Sequence, residues 1–188
     1  MKSVLISIRP KWVEKIANGE KTIEVRKTAP KCKEPFKCYI YCTKDKYEWL
    51  YRVDNNGYGK PQSWHGKVIG EFICDWIKKI TPHCDIDGFV NQYIHGYPAI
   101  LGDNDCLSFN DMKAYLGNKK GYDWHISDLK IYDKPKELRE FCIPCKTNCE
   151  DCKEPLFYDC WREKGRVKVV TRPPQSWCYV EALEEMKK

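Results

Sequence analysis

The feature that most constrains this chain is a nine-residue stretch, Gly19-Glu20-Lys21-Thr22-Ile23-Glu24-Val25-Arg26-Lys27. Ile23 and Val25 alternate with Thr22, Glu24 and Arg26. An extended segment here buries the aliphatic pair and gathers a hydroxyl, a carboxylate and a guanidinium on the other face. Glu24 and Arg26, two residues apart, can pair on that face, and Lys21 enters just after a glycine suited to ending a helix. The preceding residues fit. Val4, Ile6 and Ile8 alternate with Ser3, Leu5 and Ser7 as in a largely buried strand, Pro10 suits a first helical position, and Trp12, Val13, Ile16 and Ala17 form an apolar stripe before Asn18-Gly19. The opening is predicted to be strand, short helix, strand.

Two of these stretches, Ser7-Ile8-Arg9-Pro10-Lys11-Trp12 and Gly19 to Lys27, resemble the signature of the ASCH domain, a member of the PUA-like superfamily, in the small form often carried by phages and prophages of Gram-positive bacteria. Further stretches are similar to the same group: Gly66 to Phe72, Gly121 to Leu129, and Arg172 to Glu181 with its Pro174-Gln175-Ser176-Trp177. The resemblance covers most of the chain. It implies an α+β fold, a PUA-like small β-barrel flanked by helices, with nucleic acid bound in a cleft lined by Lys21 to Arg26.

A length of 188 residues suits a single domain, 1–188, with insertions. The net charge of +6 favours an anionic partner, although most of the 32% charged residues are expected to be ordinary solvated faces. No run reaches the length of a membrane span, and Val4 to Ile8 is too short and too soon followed by Arg9, Pro10 and Lys11 for a secretion signal, so a cytoplasmic protein with no membrane partner is expected. In that compartment 12 cysteines point to buried thiols and metal ligands before disulfides.

Along the chain, Phe36 to Cys42 reads as a strand with Cys38 and Cys42 in the core. Residues 44–66, with Asp54-Asn55-Asn56-Gly57 and Gly59-Lys60-Pro61, read as a loop or hairpin insertion. Val68 to Ile77 reads as one long strand, its uncharged face (Val68, Gly70, Phe72, Cys74 and Trp76) looking inward. Residues 81–106 have no sustained period and read as a long irregular connection with a helical turn near Gly88 to Ile94. Ser108 and Asp111 form a capping-box pattern opening a helix that carries Met112, Tyr115 and Leu116 inward. Tyr122 to Tyr132 reads extended with a bend near Ser127-Asp128, where the apolar phase inverts. Trp177, Tyr179 and Leu183 are expected to complete the core.

Four groups offer chemistry. Lys21, Thr22, Glu24 and Arg26, with Arg9 and Lys11 near in sequence, supply cations for phosphate; a surface strand with an exposed salt bridge worth under ~1 kcal/mol is the plain alternative. Gln175, Ser176 and Trp177 can hold a base, by hydrogen bonds to its edge and by stacking; for Trp177, Trp124 and Tyr41 taken singly, core packing is the simpler role. An enzyme is the second reading. Some ASCH proteins are amidohydrolases of acetylcytidine nucleosides, and the resemblance matches their Lys at Lys21 but puts Glu24 where their nucleophilic Thr stands; others are described as ribonucleases, for which Lys21, Glu24 and His125 are the candidate catalytic residues. His125, between Trp124 and Ile126, is otherwise a hydrogen-bonded surface histidine.

The fourth group is Cys142, Cys145, Cys149 and Cys152, with Cys160 following. Two Cys-x-x-Cys pairs in a polar stretch suit tetrahedral zinc, any four of the five serving as ligands of a structural Zn²⁺ that staples a Cys-rich insertion, 141–165. A redox pair or plain thiols are the alternatives. The expected partner is RNA or another nucleic acid, or a modified nucleoside or nucleotide, and a host protein that docks on the Cys-rich insertion is a further expectation.

Overall fold

The structure is a computed structural model that describes residues 3–45, 50–53, 57–96, 104–144 and 168–182. Strand β1 (Ser3–Ile8) is buried along its whole length, which its unbroken apolar run requires. It pairs in parallel with β3 (Phe36–Cys42) and antiparallel with β13 (Trp177–Ala182). A parallel neighbour needs a crossover. Helix α1 (Pro10–Ala17) and β2 (Ile23–Arg26) lie on it, and the helix stops at Asn18-Gly19, where Gly19 takes φ +75°, a value that favours a residue without Cβ.

The remaining elements are β4 (Leu50–Val53), β5 (Gly59–Gln62), β6 (Val68–Cys74), β7 (Ile77–Cys84), β8 (Val90–His95), α2 (Phe109–Leu116), β9 (Gly121–His125), β10 (Ser127–Lys136), a 3-10 turn (Leu138–Glu140), β11 (Phe141–Ile143) and β12 (Lys168–Val169). They form a seven-stranded sheet of order β10-β6-β3-β1-β13-β11-β12, a four-stranded sheet of order β2-β9-β7-β8, and the hairpin β4-β5.

Among the described residues the strands do not close into the expected barrel, and the cause is local. The run read as a single strand from Val68 to Ile77 breaks at Asp75-Trp76: β6 pairs with β3 and β10 in the large sheet, and β7 leaves to pair with β9 in the small one. The chain makes the same change of sheet between β9 and β10, at the expected bend, where Asp128 has φ +47° and the register shifts after Ser127. The two corners are tied, with the His125 amide donating to the Trp76 carbonyl (3.2 Å) and Ser127 Oγ to the Ile73 carbonyl (2.9 Å). Strands that switch sheets at corners build two sheets in place of one closed barrel.

A bulge also divides the inward face of β6. Ile40 faces Gly70 but Tyr41 faces Val68, leaving Ile69 as the extra residue. Ile69, Phe72 and Cys74 therefore enter the core between the sheets with Val4, Ile6, Ile8, Cys38, Ile40 and Trp124, while Val68 turns to a second core with Leu5, Tyr39, Tyr41 and Phe141. Gly70 lets β10 come close, because a Cβ there would stand 2.4 Å from the Lys130 carbonyl oxygen.

Residues 81–95 differ from the irregular connection with a helical turn that the sequence suggests. They belong to the β7–β8 hairpin, closed by Asp85, whose Oδ1 accepts from the amides of Asp87 and Phe89. A register shift between His83 and Cys84 buries Val90 and Tyr93, three residues apart, and so erases the period of two that would have marked a strand. Helix α2, opened by the Ser108–Asp111 capping box, lays Met112 and Leu116 on this sheet against Val25, Ile80, Val90 and Tyr93.

Candidate functional site

Strand β2 is short and buried along its length, so its polar residues point into the protein, where the resemblance implies residues that line a cleft. Register fixes the faces. Glu24 lies opposite Trp124 and Arg26 opposite Tyr122, on the side that meets the large sheet; Ile23 opposes His125 and Val25 opposes Asp123 on the side covered by α2.

Lys21, Glu24 and Arg26 come together as one network and are only 2%, 6% and 6% exposed. Lys21 Nζ is 3.5 Å from Glu24 Oε2, and Arg26 Nη2 is 3.0 Å from Glu24 Oε1. Lys21 also donates to the Ile23 and Asp105 carbonyls at 2.7 and 2.5 Å and lies over the Trp12 ring, 5.3 Å from its centroid. Arg26 Nη2 donates to the Ser7 carbonyl at 2.6 Å, while its Nε has no partner among the described residues. Two cations share one carboxylate, so the cluster retains positive charge in a place where charge is costly to bury.

Ser7 is the joint of this region, and the sequence pattern does not single it out. Its carbonyl takes Arg26, its amide donates to the Ser176 carbonyl (2.9 Å), and its Oγ donates to the Pro174 carbonyl (2.7 Å). A hydroxyl inside an otherwise aliphatic strand was the available signal. Ser7 thus holds the segment carrying Gln175, Ser176 and Trp177 against the end of β1, immediately before Arg9 and Lys11. Arg9, Lys11 and Gln175 are exposed there, and Lys11 rides on the Trp12 ring; Lys27, also exposed, lies over the Tyr115 ring of α2. Trp177 Nε1 donates to Thr28 Oγ1 (3.0 Å), and its ring stands 6.0 Å from Trp124 and 5.5 Å from Tyr179. Trp124 and Tyr41 are core residues, whereas Trp177 remains partly exposed.

Thr22 belongs to a different contact. Its backbone amide donates to the Asn104 carbonyl and its Oγ1 accepts from the Asn104 amide, each at 2.9 Å, fastening the loop before α2. His125 is also apart from Glu24: its Nδ1 is 2.6 Å from Asp75 Oδ1, and its ring stacks on Trp76 at 4.8 Å with planes 7° apart. The structure therefore joins Lys21 with Glu24 and sends His125 to the corner where β6 becomes β7.

Of the cysteines considered for zinc, Cys142 is buried in β11 with Sγ 3.5 Å from the Glu181 carbonyl, and burial pushes its thiol up to about 11. Cys145, Cys149, Cys152 and Cys160 lie outside the described residues, as does Leu183.

A second polar cluster, on the α2 side of the small sheet, was not anticipated from the sequence. Asp123 is 0% exposed, its Oδ2 is 2.7 Å from His95 Nδ1, and its Oδ1 has no partner among the described residues. Burial raises the Asp123 carboxyl above its ordinary 3.8 against the opposing effect of His95, and the hydrogen bond to Asp123 raises the imidazole above 6.5.

No family model matches the sequence, and no curated protein matches it. The fold has solved counterparts in crystal structures of an ASCH protein from Zymomonas mobilis: TM-score 0.53 at 20% identity over 99% of this chain and 92% of that one. Two point mutants of that protein align with TM-scores of 0.54 and 0.53, at 20% and 18% identity, over 100% and 99% of this chain and 96% and 93% of theirs. The chain has the fold of these ASCH proteins.

Proposed function

We propose that this chain, built on the ASCH fold, binds RNA or another nucleic acid where β1, β2 and β13 meet. The observation that carries the reading is the Ser7 junction, which sets Arg26 and the 174–177 segment side by side at the end of β1, just ahead of exposed Arg9 and Lys11. In this reading the work is divided. The exposed cations Arg9 and Lys11 take phosphates, where they remain hydrated until the ligand arrives. Trp177 stacks an unpaired base, and Gln175 and Ser176 hydrogen-bond its edge. The buried Lys21–Glu24–Arg26 network keeps the junction positive and in place.

Fluorescence anisotropy with a pool of labelled single-stranded RNAs, repeated at several salt concentrations, tests this. Replacing both Arg9 and Lys11 by Ala is expected to weaken binding and to flatten the logarithmic salt slope by about 1.4, or about 0.7 for each phosphate no longer neutralised. Trp177→Ala is expected to cost about 1–3 kcal/mol of affinity while leaving the slope unchanged. Affinity and slope identical to wild type in the double variant overturn the reading.

The second reading, a hydrolase of nucleic acid or of a nucleoside such as acetylcytidine, is favoured by the 3.5 Å approach of Lys21 Nζ to Glu24 Oε2 in a buried setting. Here the same RNA pool would shorten, or the nucleoside would be consumed, and Glu24→Gln would stop it. Intact substrates after prolonged incubation remove this reading and leave the first standing.

A further inference from the structure

We propose that His95, Asp105 and Asp123 form a binding site for a divalent transition-metal cation on the α2 side of the small sheet. Their ligand atoms (the imidazole nitrogen and one carboxylate oxygen from each aspartate) all lie within 4.8 Å of one another, although the residues come from the end of β8, from the loop before α2 and from the middle of β9. The backbone builds the cluster. β7 separates β8 from β9, His95 lies opposite Ile80, Ile80 opposite Gly121, and the period of two puts Asp123 on the same face as Gly121. Asp105 is brought over that face by its loop. Asn104 is fastened to Thr22, the Asp105 carbonyl accepts from Lys21, and Asp105 Oδ1 accepts from the Leu107 amide (2.8 Å), which orients the carboxylate.

The independent sign of a ligand is Asp123 Oδ1. It belongs to a side chain with no solvent exposure, it has no donor among the described residues, and the carboxylate that carries it is one of the three groups that converge here. A buried carboxylate oxygen without a donor is costly, and a cation held by this carboxylate would offset that cost. One imidazole and two carboxylates suit Zn²⁺, Mn²⁺ or Co²⁺ better than Mg²⁺, which prefers an all-oxygen shell. Three protein ligands leave at least one coordination position for water or an incoming anion. Because Asp105 also holds Lys21, a cation here would fix the loop that supports the Lys21–Glu24–Arg26 network.

The test is titration of the full-length, metal-stripped protein with Co²⁺, read by visible absorption, because cobalt reports the chemistry of its ligands. The expected signal is a d–d spectrum from a nitrogen and oxygen shell, lost or weakened at least about tenfold in His95→Gln and in Asp105→Asn. These two substitutions fall on partly exposed residues, and circular dichroism confirms their fold. The cysteines are told apart by their thiolate-to-cobalt charge-transfer band in the near ultraviolet, which both variants retain if it is present. A wild-type spectrum with no nitrogen and oxygen component, or one that survives both substitutions unchanged, overturns the proposal.

Discussion

The two polar clusters of the small sheet lie back to back on β2 and β9 and have opposite electrostatic characters. On the side facing the large sheet, one carboxylate, Glu24, serves two cations, Lys21 and Arg26, and both of its oxygens have ion-pair partners. On the α2 side, Asp123 shares one oxygen with His95, and the other has no partner among the described residues. The first cluster retains excess positive charge and the second excess acceptor capacity. Burial alone does not define a site: what a buried group lacks says what it would take. A cluster of cations with one carboxylate favours an anion, and a cluster of carboxylates with an imidazole favours a cation.

The comparison breaks most sharply at Glu24. Glu24→Gln leaves Lys21 and Arg26 buried without a counter-charge, and loss of one member of a buried ion pair costs about 3–5 kcal/mol. Urea unfolding is expected to show a large fall in the midpoint with little change in slope. Asp123→Asn should behave differently. It gives up an ionised group that burial already disfavours and puts an uncharged amide near His95, so the change in the absence of metal is expected to stay within about 1 kcal/mol. Equal and large losses in both variants would mean that the two clusters are matched structural networks and would remove the distinction.

Next in size is Ser7→Ala, which removes the Oγ bond to Pro174 but keeps the backbone contacts to Arg26 and Ser176. The stability cost is expected at about 0.5–1.5 kcal/mol. RNA affinity should fall as well, because the segment bearing Gln175 loses one of the two hydrogen bonds by which Ser7 holds it, ahead of the β1–β13 ladder that starts at Trp177. Hydrogen exchange at the 177–179 amides, faster in the variant than in wild type, would locate the effect; unchanged affinity would confine Ser7 to the fold.

How much of this could be read from the sequence follows from the range of the interactions. The opening strand, helix and strand, the α2 capping box and the bend at Ser127-Asp128 rest on neighbours within a few residues, and the sequence displays them. The meeting of Lys21, Glu24 and Arg26 is equally local. The change of sheet at Asp75-Trp76 was hidden because apolar residues run through the break, and the β8 strand was hidden because the shift opposite His83 and Cys84 spoils its alternation. Two sheets in place of a closed barrel, among the described residues, follow from the first of these. The Ser7 junction and the His95–Asp105–Asp123 cluster join residues distant in sequence through strand register, which periodicity within a single strand does not reveal.

The smallest effect separates two aspartates on the α2 side of the sheet. Asp111, at the start of α2, accepts from the Ser108 hydroxyl and amide, and these bonds, side chain first, hold its carboxyl below the ordinary 3.8; Asp123, buried and short of donors, is held above it. The signs for stability are opposite. Asp111 binds its proton more weakly folded than unfolded, so its contribution is present above pH 3.8 and is lost as pH falls through its depressed folded value. Asp123 binds its proton more tightly folded than unfolded, so its contribution is full below pH 3.8 and declines as pH rises toward its elevated folded value. Carboxyl carbon shifts followed by NMR in metal-free protein are expected to place the Asp111 midpoint below the usual aspartate range and that of Asp123 above it. Asp111→Asn should flatten the acid limb of the stability profile and Asp123→Asn the limb above it. If Asp123 titrates at or below the ordinary value, a donor is already serving Oδ1, and the contrast between the two faces of the sheet fails at its most sensitive point.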